Sequence, residues 1–112
     1  MGPGAGAGEK DSAAKEPELG EVVQLEPITM NLADGRLLKV GLALQLVLEP
    51  KEAEVTGSVA LDEAIAFLGE RSYAQLADVK ARATIKQEFS ERVSKRYHGD
   101  VVEVYFTEFV MQ

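Results

Sequence analysis

An α+β domain is the fold class that the sequence predicts: an antiparallel or mixed β-sheet with two or three helices packed on one face, in the order β-β-α-α-β. Apolar and polar side chains alternate through most of residues 21–48, which is a strand pattern. Residues 58–98 instead repeat apolar side chains at helical spacing, and residues 101–112 return to a strand pattern. Strand and helix periodicities in separate parts of a chain are typical of this class.

Composition limits the chain to one domain and excludes several kinds of function. Its 112 residues are 46% hydrophobic and 28% charged, which suits a single core. The net charge of -7 argues against nucleic acid as a partner, because phosphates favour a basic surface. With no cysteine and one histidine, the chain lacks a thiol nucleophile and a multi-histidine zinc site. We therefore predict no catalytic residue, no cofactor and no metal.

Residues 1–20 predict a flexible linker, and residues 21–112 predict the folded domain. The linker consists mainly of Gly, Ala, Pro and charged residues, a composition that cannot bury a core. Its glycines at positions 2, 4, 6 and 8 lack the spacing of a dinucleotide-binding loop. No signal peptide and no membrane-spanning apolar run is recognisable, so we expect the chain as given to be soluble.

The first strand pattern changes parity at Pro27. Val23 and Leu25 share one parity, whereas the apolar residues from Ile28 to Leu32 share the other. Proline cannot donate a ladder hydrogen bond, so a kink or bulge there would keep both groups on one face. Every even position of the next segment, from 38 to 48, is Leu or Val, which predicts a long strand with one fully apolar face.

The turn between these strands is predicted from its register. A two-residue Asp-Gly loop would place an apolar face opposite a mixed one, which is costly. A three-residue loop over residues 33–35, with Gly35 left-handed, instead pairs Met30 with Leu38 and Ile28 with Val40. We therefore predict the three-residue hairpin.

The following segment, residues 49–58, is acidic but lacks the spacing of a calcium loop, so we interpret it as a solvated connection. Ser58 is a candidate cap for a helix that ends near Gly69. Its predicted buried stripe is listed as follows: Leu61, Ala64, Ile65 and Leu68.

A capping box, Ser72 to Gln75, predicts a short helix, and Asp78 predicts a second start and a longer helix to about His98. The predicted core stripe of that helix is Ile85, Phe89, Val93 and Tyr97, flanked by Val79 and Ala83. Gly99 suits a left-handed cap, and we interpret His98 as structural.

The longer helix is basic within an acidic chain. Residues 78–98 hold six Lys or Arg against three Asp or Glu, a net charge of +3. Two interpretations stay open: a solvated face, or a docking surface that meets an acidic neighbour in a ring or filament.

The last segment is apolar on both strand faces. Simple alternation places Val102, Val104, Phe106 and Val110 on one face. Tyr105, Phe109 and Met111, with Val101, then lie on the other face. We predict an interior strand with one face on the helices and the other covered by a partner or by another layer. The predicted partner or oligomer interface comprises Tyr105, Phe109, Met111, Arg92 and Arg96.

The predicted strand geometry bears on two other functions, a hydrolase and a ligand-binding module. A carboxylate hydrolase would need Glu103 and Glu108 to converge, but their opposite parity predicts opposite strand faces. A ligand-binding module would need space between sheet and helices, for which the small residues Gly41 and Ala43 offer room or, equally, close packing.

Specific residues resemble a known family. LEPITMNLADGRLLKVGLALQL (25–46), SYAQL (72–76), the basic helix and VVEVYFTEFVMQ (101–112) resemble the C-terminal domain of the flagellar basal-body protein FliL family. The most distinctive part is Val104 to Gln112. The resemblance extends from about Glu21 to the last residue.

This resemblance implies a fold similar to the stomatin/prohibitin (SPFH) domain and no catalytic residues. It implies a periplasmic domain of a single-pass inner-membrane protein, tethered to a transmembrane helix that this chain lacks. It also implies a non-enzymatic role in the flagellar motor: a ring around the stator units that supports their assembly, torque and swarming. The implied partners are the stator proteins and the basal body.

Overall fold

The computed structural model describes residues 18–112, and it has the predicted α+β architecture. The elements in chain order are β1 (Leu19–Gln24), β2 (Ile28–Asn31), β3 (Leu37–Val47), α1 (Ser58–Leu68), α2 (Tyr73–Ala77), α3 (Val79–Arg96) and β4 (Val101–Met111). Most of the predicted linker, residues 1–17, lies outside the described residues. β1 begins at Leu19, two residues before the predicted domain boundary.

The sheet is antiparallel throughout, and β3 is its central strand. Along one edge of β3, the C-terminal part of this strand pairs with β1 and its N-terminal part pairs with β2. The other edge pairs with β4 from Leu38 to Leu46. β1 and β2 therefore act as one interrupted edge strand, and β4 forms the opposite edge.

The interruption lies at Pro27, as the parity change predicts. Leu25 still donates its N–H to the carbonyl of Leu42 (2.9 Å), and β2 resumes pairing at Ile28 opposite Val40. Val23, Leu25 and Ile28 all pack against the core. The break thus keeps Val23 and Leu25 on the same face of the sheet as Ile28.

The three-residue hairpin is confirmed. Met30 pairs with Leu38 and Ile28 with Val40, and the Leu32 N–H closes the loop on the Arg36 carbonyl (2.7 Å). Gly35 has a φ of 82°, the left-handed conformation that this loop requires.

The core lies between the sheet and the helices. Leu38, Val40, Leu42 and Leu44 of β3 are fully buried on the face toward the helices. Against them stacks a row of aromatic rings: Phe67 of α1 lies 6.1 Å from Phe89 of α3, and Phe89 lies 6.2 Å from Phe106 of β4. The row joins two helices to the edge strand.

The buried stripe of α1 differs from the prediction. Ile65 is 55% exposed, whereas Phe67 is 3% exposed and enters the aromatic row. The buried apolar residues are Ala60, Ala64, Phe67 and Leu68. Two alanines allow a close approach of the helix, and burying Phe67 removes more apolar area from water than burying Ile65 would. Ser58 does not cap α1, because Gly57 occupies that position without a side-chain bond.

Both predicted caps of the later helices are confirmed. Ser72 and Gln75 exchange the two bonds of a capping box at the start of α2, and Asp78 accepts the N–H groups of Lys80 and Ala81 at the start of α3. Gly99 is left-handed (φ 87°), as predicted, and His98 before it is left-handed as well (φ 56°).

The predicted core stripe of α3 is confirmed in its centre and wrong toward the N-terminal end of the helix. Ile85, Phe89 and Val93 are buried, but Val79 is 71% exposed and Ala83 is also exposed. Val79 and Ala83 therefore do not contribute to the buried stripe of α3.

The prediction for β4 was wrong in two respects. It is an edge strand, not an interior one, because only β3 pairs with it among residues 18–112. Its pairing also shifts twice, between Gly41 and Leu42 and between Gln45 and Leu46 of β3. Each bulge reverses the parity of the following side chains. The residues opposite the buried face of β3 are therefore Val101, Val104, Phe106, Phe109 and Met111.

Candidate interaction surfaces

Among residues 18–112, no helix covers one face of the sheet, and we call it the open face. It consists of the odd-numbered residues of β3 together with the residues of β1, β2 and β4 that pair with them. Most of the large exposed apolar side chains of the described chain lie on it, namely Leu19, Val22, Leu37, Tyr105 and Val110. The open face therefore mixes apolar residues with the polar ones between them.

A hydrogen-bonded glutamine ties the open face together. Gln45 Nε2 donates to the Gly20 carbonyl of β1 (2.9 Å), and the Tyr105 hydroxyl of β4 donates to Gln45 Oε1 (2.9 Å). Gln45 is 5% exposed, so these bonds satisfy an amide that has left water. The three strands are thus linked by side chains as well as by the ladder.

The five predicted interface residues fall into separate places. Tyr105 is 37% exposed on the open face. Phe109 and Met111 pack against the core, and the Phe109 ring lies 5.1 Å from that of Phe106. Arg92 and Arg96 lie on α3 and contact α1. The structure does not bring the five together, and their role in an interface stays a prediction.

Arg92 and Arg96 form ion pairs between helices. Arg92 Nε lies 2.8 Å from Glu63 Oε2, and Arg96 bonds both Glu63 (3.3 Å) and Asp62 (2.8 Å). Glu63 is 7% exposed. The hydrogen bond from Arg92, with that from Arg96, holds the pKa of Glu63 below its ordinary value despite the opposing effect of burial. Part of the charge of the basic helix therefore serves to fasten α1 to α3.

Glu103 and Glu108 lie on the same face of the sheet, so the prediction of opposite faces was wrong. Because a bulge lies between them, Glu103 and Glu108 pair with Gln45 and Gly41, which share one parity of β3. Their carboxylates are nevertheless held by different lysines: Glu108 by Lys39 (3.3 Å) and Glu103 by Lys86 of α3 (3.3 Å). Each carboxylate is thus occupied by its own surface ion pair.

The small residues of β3 do not leave room for a ligand. A Cβ at Gly41 would lie 2.6 Å from Thr107 Oγ1 of β4, and Ala43 is 4% exposed. Of the two uses that these residues allow, close packing of a neighbouring strand is the one observed.

The acidic connection after β3 is fastened by a buried carboxylate. Asp100, 2% exposed, accepts the N–H groups of Lys51 (2.9 Å) and Glu52 (3.0 Å). These backbone bonds hold the pKa of Asp100 below its ordinary value. Lys51 Nζ also donates to the His98 carbonyl (2.7 Å). Across residues 18–112, no three His, Asp or Glu side chains converge as metal ligands.

Two open grooves follow the two edges of the sheet. The α3–β4 groove, of about 680 Å³, lies between the helix and the outer edge of β4 and includes Lys86, Ser90, Lys95 and Val102 in its walls. The β1–loop groove, of about 410 Å³, lies between β1 and the acidic connection and includes Glu21, Glu52 and Glu54. Sequence patterns did not reveal either groove, because each depends on elements that are distant in the chain.

Comparison with known protein families shows the family to which the chain belongs. The family described as flagellar basal body-associated protein FliL matches residues 22–112. The chain belongs to the FliL family. The match covers nearly all of the described fold, including both grooves apart from Glu21, and a search among curated proteins gives no match.

Membership in the FliL family gives the chain a flagellar accessory role, in a family that is not known to be enzymatic. The family description associates the protein with the flagellar basal body. Within residues 18–112 of this FliL chain, no helix is both long and apolar enough to cross a membrane.

Proposed function

We propose that this FliL-family domain is a non-enzymatic scaffold of the flagellar motor. It lies in the periplasm, tethered to the inner membrane by a transmembrane helix outside the present chain. There it self-associates into a ring and supports the assembly of stator units, and thereby torque and swarming. The observation that carries the proposal is the FliL match over residues 22–112.

The surface chemistry supports a scaffold. The mixed apolar and polar residues of the open face resemble the composition of non-obligate interfaces, which differ little from ordinary surface in their overall polarity. Both grooves are open to the surface and are not enclosed cavities, and the carboxylates of Glu103 and Glu108 of β4 are held in ion pairs with lysines. These features favour contact with other proteins over catalysis.

A membrane tether would make weak contacts sufficient. Domains anchored in a shared bilayer have a high effective concentration, so avidity raises assembly well above what the isolated domain shows. A monomer in dilute solution is compatible with a ring on the membrane.

Genetic complementation tests the role. Deleting the gene from its own bacterium should reduce swarming and the number of fluorescent stator units at the motor, and the wild-type gene should restore both. A Phe89→Asp variant, which cannot build the core, should fail to restore them. An Ile65→Asp variant, changed at an exposed position of α1, serves as the matched control. Unchanged stator numbers and swarming in the deletion strain would contradict the proposal.

Reporter fusions to the full-length protein test the location. Alkaline phosphatase, which is active only in the periplasm, should be active when fused after Gln112. Activity of a cytoplasmic reporter at the same position would refute the orientation.

A further inference from the structure

The negative charge of the described domain is concentrated beside β1. Residues 18–27 and 48–57, which are β1 with its flanks and the connection after β3, hold six glutamates and one lysine. The other described residues hold ten Asp or Glu and nine Lys or Arg, which nearly balance. The lysine, Lys51, donates from Nζ to the His98 carbonyl (2.7 Å). None of the six glutamates forms an ion pair within residues 18–112.

The β1–loop groove lies in this acidic region, and the charged side chains of its walls are all of one sign. They are Glu21 of β1 with Glu52 and Glu54 of the connection, and no described lysine or arginine lines the groove. The remaining lining residues are apolar: Val23, Leu46, Pro50, Ala53 and Val55. Such a groove attracts a cationic side chain and can also pack its aliphatic stem.

The opposite side of β1 presents apolar side chains. Leu19 and Val22 pair with Val47 and Gln45 of β3, which places them on the open face. Leu19 is 60% exposed and Val22 is 49% exposed. A chain segment that lies beside β1 therefore meets carboxylates on its groove side and apolar side chains on its open-face side.

The outer edge of β1 directs backbone groups away from the sheet. Leu25 donates its N–H to the Leu42 carbonyl of β3, and bonded positions alternate along an antiparallel pair. Gln24, which pairs with Ala43, therefore directs its N–H and its carbonyl outward. No strand lies beyond β1 among residues 18–112. An edge of this kind can accept an added extended segment.

We propose that β1 binds an extended segment of a partner protein in which basic and apolar residues alternate. Successive side chains of an extended segment point to opposite faces. Its lysines or arginines lie toward the carboxylates of the β1–loop groove, and its apolar residues lie toward Leu19 and Val22. The proposal goes beyond the ring and the stator support proposed above and depends on neither.

A strand of a second copy does not have this pattern. The strands of residues 18–112 contain one basic residue, Lys39. A second β1 would bring Glu21 of its own to an edge that is already acidic, and like charges on neighbouring strands are destabilising. Charge complementarity therefore favours a different protein as the occupant.

A synthetic peptide tests the contact. The probe is a fluorescein-labelled octapeptide of alternating Lys and Val, and fluorescence anisotropy measures its Kd for the 112-residue chain. It should bind the wild-type chain, whereas the same peptide with Glu in place of Lys should not. A peptide with Ser in place of Val should bind about tenfold more weakly, because it loses the contact with Leu19 and Val22. No binding of the Lys–Val peptide at about 1 mM would overturn the proposal.

A pair of triple variants separates the groove from the general charge of the chain. Glu21→Gln/Glu52→Gln/Glu54→Gln neutralises the groove and should weaken binding of the Lys–Val peptide by about tenfold. The control, Glu70→Gln/Glu88→Gln/Glu91→Gln, changes the net charge equally at exposed positions outside this groove. It should weaken binding by less than about twofold, because salt screens distant exposed charges. Equal weakening in the two variants would overturn the groove as the site.

Two further variants test the edge and the open-face side. Gln24→Pro removes the outward N–H and no bond of the ladder with β3, so affinity should fall by about threefold to tenfold. Circular dichroism verifies its fold. Val22→Ser leaves the backbone unchanged and should weaken binding of the Lys–Val peptide but not of the Lys–Ser peptide. Unchanged affinity in both variants would overturn strand addition.

Spermine distinguishes a peptide site from a site for any cation. Spermine carries several positive charges but has neither a peptide backbone nor apolar side chains. It should displace the Lys–Val peptide only at concentrations at least about tenfold above those of unlabelled peptide. Equal potency of spermine and unlabelled peptide would overturn the assignment to a protein segment.

Discussion

The two faces of the sheet differ although the same strands form both. On the face covered by helices, every even-numbered residue of β3 from Leu38 to Leu46 is almost wholly buried among apolar side chains. On the open face, a glutamine network and a lysine–glutamate pair lie between exposed apolar residues. The covered face supplies the hydrophobic free energy of folding, whereas no helix of residues 18–112 lies on the open face.

Phe89→Ala tests the covered face and should have the largest effect. Phe89 is fully buried between Phe67 and Phe106, so its loss should lower the free energy of unfolding by about 3–5 kcal/mol. Denaturant unfolding measures this. Val79→Ala, at an exposed position of the same helix, should change stability by less than about 0.5 kcal/mol. Similar losses for both variants would mean that α3 does not pack on the sheet as described.

Phe109→Ala and Tyr105→Ala test on which face of the sheet each of these two β4 side chains lies. Denaturant unfolding measures the loss of stability in each variant. Phe109 packs against the core, so its removal should cost about 2 kcal/mol. Tyr105 is on the open face, and its removal should cost about 1 kcal/mol, mainly through the hydrogen bond to Gln45. Without the bulge between these residues, their even spacing would place both side chains on one face and the two losses would be similar. Equal losses, or a larger loss for Tyr105→Ala, would therefore contradict the register.

Glu63→Gln tests whether ion pairs help to fasten the helix layer. Removing the charge that Arg92 and Arg96 share should cost about 1–2 kcal/mol at neutral pH. The pKa of Glu63 is lowered in the folded state, so this stabilisation is complete above its ordinary value of 4.5 and is lost as pH falls through the lower folded value.

The difference between wild type and Glu63→Gln should therefore shrink as the pH of the unfolding experiment falls below about 4.5. Asp62→Asn is the control, because the Asp62 side chain is 71% exposed and its pair with Arg96 is screened by water. A difference that grows at low pH would show that the charge of Glu63 does not stabilise the fold.

Asp78→Ala should lower the free energy of unfolding by about 1 kcal/mol, because it removes one helix cap. Asp78 accepts two backbone N–H groups at the start of α3, away from both faces of the sheet. Asp78→Asn, which retains a capping oxygen, should keep most of the stability in thermal unfolding. Equal losses for the two variants would indicate that charge, not the cap, is the contribution.

The features that the sequence predicted well are local. The hairpin register from Met30 to Leu38, the capping box at Ser72 and the second start at Asp78 depend on residues a few positions apart. Their physical causes are the conformational freedom of glycine, the reach of short polar side chains and the alternation of apolar residues. Each of these causes acts between residues that are close together in the sequence.

The features that it predicted poorly depend on distant contacts. The choice of Phe67 over Ile65 for burial depends on the position of Phe89 on another helix. The two bulges of β4 arise from its pairing with β3, to which it is joined through three helices. The candidate grooves likewise combine elements that are far apart in the chain.

The sequence by itself determined the fold class, the long apolar face of β3, the starts of α2 and α3 and the family resemblance, because periodicity and motifs depend on neighbouring residues. Only the tertiary structure decided that β4 is an edge strand, that Phe109 packs in the core, and that a groove borders each edge. The physical reason is that each bulge reverses the parity of the side chains after it. The position of each bulge is set by pairing with β3 and not by the residues of β4 alone.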